Sequence, residues 1–160
     1  MRSVADHLAA VLDAASPVPA LDVVLADADG CVLAEDVQAP RDVPMLTVAA
    51  CDGYAVRAAD LGEPGPGPAA PARLPVVDDV PVAAPEPLRH VPFTATLVAA
   101  GAPVPAGADA VVALDRTDRG RAHVVITGGV EHGANLRPAG SQVSAGATVL
   151  FAGTRLAPRH

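Results

Sequence analysis

Over 160 residues the chain sets 18 acidic side chains against 11 basic ones, every one of them arginine, for a formal charge of −7. That balance disfavours nucleic acid, whose phosphate backbone selects a basic surface, and no apolar run approaches the ~18 residues of a membrane span. Cys31 and Cys51 form no C-x-x-C and the five histidines lack metal-ligand spacing, which argues against a disulfide scaffold or structural zinc and for a soluble, cytoplasmic protein.

The first predicted element is a helix over residues 3–15. Ser3 is an N-cap with Asp6 three residues on as an acidic capping box, and Pro17 closes the pattern. Val4, Leu8, Val11, Leu12 and Ala15 fall on one face, so the stripe calls for a partner, either the chain's own strands or a second copy. Asp6 and His7 also interrupt any signal-peptide core. From there the period changes. Segments 21–25, 31–39, 50–57, 95–99, 110–114, 123–127 and 148–151 are short, rich in β-branched residues and bounded by Gly, Pro or Asp, as strands are. Nine of the 17 prolines lie between residues 62 and 92, so 62–72 and 81–92 are expected as loops or edges and 62–72 as the loosest stretch. Asp78-Asp79 reads as a turn. With 35 Ala and 24 Val against two Phe, one Tyr and no Trp, the core must be built from many small contacts. The fold class is mainly β with one N-terminal helix.

Three stretches are denser in special residues than a plain β protein requires. In residues 49–57, Asp52 is a hard oxygen ligand or a hydrogen-bond acceptor, and Gly53 lets backbone come close; an ordinary Asp-Gly turn into a strand reads equally well. In 100–112, Gly101 and Gly107 with Pro103 and Pro105 make a rigid loop between strands. Such a loop can present amides to an anion or simply connect. In 133–142, Arg137 is a clamp for phosphate or carboxylate, or a solvated loop side chain. Cys51 beside a carboxylate should have its thiol pKa raised, which argues against a nucleophile.

These segments resemble one known family in order and spacing. D-G-C-V-L-A-E-D-V-Q-A-P-R-D-V-P at 29–44 resembles the opening strand and turn of the MoeA family, the molybdopterin molybdenumtransferases, whose eukaryotic relative is the gephyrin E domain. A-C-D-G-Y-A at 50–55 is similar to the family's S-A-M-D-G-Y-A, and G-A-P-V-P-A-G-A-D-A-V-V at 101–112 to its T-G-A-P-L-P-x-G-A-D-A-V-V. G-A-N-L-R at 133–137 with Gly140, then A-G-T-R-L at 152–156, resembles G-x-N-(I/V)-R-x-x-G-E-D and the G-x-x-L that follows.

What the resemblance implies is specific. It implies a MoeA N-terminal-region fold with bifurcated or coiled sheets: a helix in 1–19, an elongated β subdomain from 20–41 plus 142–160, and an inserted β subdomain, 42–141, carrying the D-G-Y and G-A-P loops. It implies Asp52 as the Mg²⁺ ligand and catalytic candidate, Gly53, Gly101, Gly107 and Arg137 toward the substrate, molybdate and adenylated molybdopterin as substrates, and a homodimer. Departures are equally specific. The family's α/β domain lies past the last residue, Ala100 stands where the family has Thr, and Ser141 and Gln142 stand where it has two acids. The expectation is therefore a binding or assembly module that is not catalytic by itself. The alternative is a split half that works with a separate α/β molybdopterin-binding protein, and a β module with an unrelated ligand is the third reading.

Overall fold

The computed structural model describes residues 2–16, 18–62, 71–82, 84 and 87–160. Residues 63–70, the heart of the stretch expected to be loosest, lie outside them. In chain order the described elements are helix α1 (Val4–Ala14) and strands β1 (Val37–Gln38), β2 (Val48–Ala49), β3 (Gly53–Val56), β4 (Ala72–Val80), β5 (Ala95–Val98), β6 (Ala110–Ala113), β7 (His123–Ile126), β8 (Leu136–Arg137) and β9 (Thr148–Leu150). Short 3₁₀ turns lie at Leu25–Asp27, Ala58–Leu61 and Leu114–Arg116. The chain divides into two compact units, residues 1–37 with 148–160, and residues 38–147. Among the described residues no helix is long and apolar enough to cross a membrane.

In the first unit, α1 starts as its cap dictates. The Ser3 hydroxyl accepts from the Asp6 amide at 3.1 Å, and the Asp6 carboxylate accepts in return from the Ser3 amide at 3.2 Å. No helix residue is buried, and Val4, Leu8, Val11 and Leu12 are 51–88% exposed, so the chain's own strands do not cover the stripe. The strand expected at 21–25 does not form. Among the described residues that segment has no ladder partner, and it runs into the Leu25–Asp27 turn. Residues 30–33 instead lie antiparallel to 153–156, with Gly30 donating to the Leu156 carbonyl, Leu33 to that of Thr154 and Leu156 to that of Cys31, at 2.8–3.0 Å. Beyond Val32, which bridges Arg155, the strand expected over 31–39 shortens to β1, which pairs with β9. Ala28 is the one buried residue among those described in this unit.

The second unit holds a five-stranded sheet in the order β6-β3-β5-β4-β7. β5 is central, and β3 beside it runs antiparallel to both its neighbours, Tyr54 lying opposite Leu97 on β5 and Val112 on β6. Period-2 alternation sends Tyr54 and Val56 into one layer with Leu74, Val112, Val124 and Ile126. Ala55 goes to the opposite layer with Ala49, Val98, Ala102, Val104 and Val111. Both faces of β3 are therefore buried, and the second layer is built of small residues that let loops lie close to the sheet. That is where the alanine and valine of the sequence go.

β4 overturns one expectation. Residues 72–80 form a nine-residue strand, and Asp78-Asp79 lie within it rather than in a turn. Pro75 lies ahead of the parallel pairing with β5, which begins at Val76, and the register of that pairing shifts between Val76 and Asp78, where the acidic pair enters. Its other edge is antiparallel to β7.

Candidate functional site

The D-G-Y segment enters β3 at a point with no room for a side chain. A Cβ on Gly53 would collide with the Val112 carbonyl oxygen and lie 2.9 Å from Val111 Cγ1, so glycine is what allows β3 and β6 to pair here. The preceding residue, Asp52, is turned out to solvent. Its Oδ1 accepts a 2.7 Å hydrogen bond from the Ala100 amide, and its main-chain carbonyl accepts from Leu114 at 3.3 Å. The aspartate therefore fastens the start of the G-A-P loop to the start of β3.

The G-A-P loop is held at almost every amide. Gly101 adopts a left-handed φ of 84° and donates to the Ala49 carbonyl at 2.8 Å, while Ala49 donates back to the Ala102 carbonyl at 2.9 Å. Val104 donates to Thr47, Ala106 to Leu88 and Ala108 to Pro105. Pro103 and Pro105 carry no donor. An anion cradle needs amides facing a common point in solvent, whereas the Gly101 amide is spent inside the protein. Gly107, with φ 103°, lies at the other end of the loop beside His90.

The third stretch closes the same corner. Ala50 donates to the Asn135 carbonyl at 2.9 Å, and the Asn135 side-chain amide donates to the Val111 carbonyl at 2.8 Å from a left-handed φ of 55°. β8 pairs with β2, placing Leu136 opposite Ala49 and Arg137 opposite Val48, with Arg137 exposed. Asp52, Gly53, Gly101 and Arg137 thus stand on three segments laced into one corner of the second unit, and Gly107 stands apart. Ser141 and Gln142 are exposed on a turn laid against 42–44, where Gln142 donates to the Val43 carbonyl at 3.0 Å.

Electrostatically the corner is acidic. Burial, then the carboxylates of Asp52 and Asp115, push the Cys51 thiol pKa up, so it stays protonated and a poor nucleophile. Among the described residues no group of three or more His, Cys, Asp and Glu side chains is placed to hold a metal. Mg²⁺ is held by oxygen ligands in near-octahedral geometry. Here one carboxylate, with one oxygen already bonded to an amide, is on offer. These residues do not by themselves fit a resident Mg²⁺.

Sequence reasoning missed a second polar cluster at the opposite end of β3. Asp60 has a side chain only 1% exposed; it accepts from Arg57 Nη2 at 2.7 Å and, through its other oxygen, from the Phe93 amide at 2.7 Å. Asp109 Oδ1 accepts from the Ala58 amide at 2.6 Å. The only sequence signal was the i,i+3 spacing of Arg57 and Asp60 and the place of Asp109 in G-A-D.

Comparison with known proteins matches the MoeA N-terminal region (domain I and II) over residues 2–160. Molybdopterin molybdenumtransferase 2 of Mycobacterium tuberculosis is 40% identical over 158 residues, 99% of this chain and 38% of that protein. The Bacillus subtilis molybdopterin molybdenumtransferase is 33% identical over 140 residues, 85% of this chain and 32% of its own length. Two crystal structures of the molybdopterin biosynthesis MoeA protein from Pyrococcus horikoshii superpose with TM-scores of 0.79 and 0.76 at 30% and 34% identity. They cover 92% and 86% of this chain and 37% and 36% of theirs. The chain therefore spans less than two-fifths of the length of these relatives.

Proposed function

This chain belongs to the MoeA family, whose N-terminal region it spans, and from that premise we propose that it is a component of molybdenum cofactor biosynthesis that binds and assembles rather than turning over unaided. The observation that carries this reading is the hydrogen bond from the Ala100 amide to Asp52, which keeps the D-G-Y and G-A-P loops locked together. In this reading the corner presents Asp52 to a divalent cation completed by another chain or domain. Gly53 and Gly101 shape the approach, Gly107 braces the far end of the loop, and Arg137 faces the anionic substrates, molybdate and the adenylated pterin. The protein is cytoplasmic and a homodimer.

The absence of a side-chain donor at Ala100 and of a carboxylate at Gln142 is what weighs against turnover by the chain alone, since one missing positioned group costs roughly 10²–10³ in rate. A second reading has its own support. Identity of 40% that runs through 99% of the chain favours a working N-terminal half whose α/β partner, a molybdopterin-binding protein, completes the enzyme.

Complementation separates the two. Cells lacking MoeA should stay without molybdoenzyme activity when given this chain alone. Activity restored by the chain alone overturns the non-catalytic reading, and activity restored only with a separate α/β domain favours the split enzyme. Calorimetry with adenylated molybdopterin, with and without Mg²⁺ and molybdate, measures binding directly.

A further inference from the structure

Segment 87–94 leads into β5 and lies along the far half of the G-A-P loop. His90 donates its amide to the Ala106 carbonyl at 2.9 Å, and the Ala106 amide donates to the Leu88 carbonyl at 2.7 Å, so one residue of the loop is gripped twice. The His90 side chain turns inward over Gly107: a Cβ added to that glycine would stand 3.7 Å from His90 Cβ. His90 is 7% exposed, and among the described residues neither Nδ1 nor Nε2 has a hydrogen-bond partner. Neutral imidazole carries one donor and one acceptor, so both go unmet at a buried site, and an imidazolium there would carry two unmet donors and a charge.

The charged groups around it are already engaged. Asp60 has one oxygen bonded to Arg57 and the other to the Phe93 amide; Asp109 holds the Ala58 amide; Arg57 contributes a positive charge, and Arg89 on the same segment is exposed. Among the described residues none of these carboxylates accepts from the His90 ring in the closed arrangement.

We propose that His90 is a proton switch: neutral, it lets segment 87–94 clamp the 105–107 turn of the G-A-P loop, and protonated, it must reach water and so releases that clamp. The balance of forces agrees. Burial lowers the His90 pKa from the ordinary 6.5, outweighing the pull of Asp60 and Asp109, while Arg57 adds to the lowering. A histidine depressed in the closed form contributes its full stability above 6.5 and loses it as pH falls below that value. The released form leaves Gly107 and the two prolines of the loop without their cover, so acidification acts on the same loop that Asp52 fastens at its other end.

Amide hydrogen exchange on the full chain at pH 7.5 and 5.5, corrected for intrinsic rates, tests this. The Ala106 and His90 amides should lose protection at the lower pH, by up to about tenfold for a histidine that titrates at the ordinary 6.5 once released, while Tyr54 on β3 and Val112 on β6 hold theirs. His90→Leu should make protection at Ala106 the same at both pH values. An Ala106 amide equally protected in the parent chain at both values overturns the switch. Should His90→Leu fail to fold, NMR titration of the His90 ring in the parent chain decides alone: a midpoint below 6.5 supports the switch, and one at or above 6.5 refutes it.

Discussion

At the scale of single residues, Gly53 and Asp52 do different work side by side. Gly53→Ala forces a methyl group into the Val112 carbonyl, and overpacking of this kind costs about 1–3 kcal/mol. Urea unfolding should show a loss at the upper end, because the obstacle is backbone that cannot rotate away. Asp52→Ala deletes one acceptor for the Ala100 amide on an exposed side chain and should cost no more than about 1 kcal/mol. Asp52→Asn, which keeps an acceptor oxygen, should recover most of that stability. If Asp52 serves a cation, both variants should abolish micromolar Mg²⁺ binding in calorimetry of the assembled protein; if neither changes ligand binding, its role is confined to the loop. The sequence showed both residues as a D-G pair, yet the reason for the glycine was hidden, because it is a contact with a residue 59 positions away across the sheet.

Among the elements, α1 owes its existence to its first turn. None of its residues is buried, so the capping box and propensity must hold it. Ser3→Ala should lower the helical signal in circular dichroism while leaving the unfolding of the 38–147 unit unmoved. Acid should do the same. The hydrogen bonds from the Ser3 side chain and amide hold the Asp6 carboxyl below its ordinary 3.8, so the stabilisation is present above that value and drains away as pH falls through the lowered one. The cap was legible because it is local: Ser3, Asp6 and Pro17 sit within one short segment. Strands β5, β6, β7 and β9 were legible for a similar reason, as β-branched runs bounded by Gly, Pro or Asp. β4 was not, since Pro75 and Asp78-Asp79 carry the marks of a turn and only the pairing with β5 and β7 makes them a strand. β2 and β8, two residues each, are too short to show a period.

For the whole molecule, the two units differ in kind. Residues 38–147 enclose two apolar layers, whereas the described residues of 1–37 with 148–160 bury Ala28 alone and leave Val4, Val18, Leu21 and Leu25 more than 80% exposed. Hydrogen exchange should therefore find β3, β5 and β6 opening only with global unfolding, and the 30–33 and 153–156 segments exchanging much earlier. The same contrast bears on self-association. If α1 forms the interface of a homodimer, sedimentation should give twice 15.9 kDa at micromolar concentration, and Leu8→Asp should return it to one copy. A dimer indifferent to Leu8→Asp would move the interface to the β units. Family membership was legible because the D-G-Y, G-A-P and G-x-N-x-R motifs are contiguous words. The lacing of those words into one corner was not, being made of hydrogen bonds, most of them main-chain, between segments far apart in the sequence.

One pair of these bonds has an architectural reach of its own. Ala39 donates to the Ala147 carbonyl at 2.9 Å, and Gly146 donates to that of Ala39 at 2.8 Å. The entrance and exit of the 38–147 segment are thus stitched side by side, as they are in inserted domains that can be moved between hosts. Such a segment is a cassette. It should fold when excised as an autonomous piece, grafted into a tight turn of an unrelated scaffold, or circularised with a minimal linker. Its Asp52 corner should travel with it intact, since every bond described there lies between its two ends.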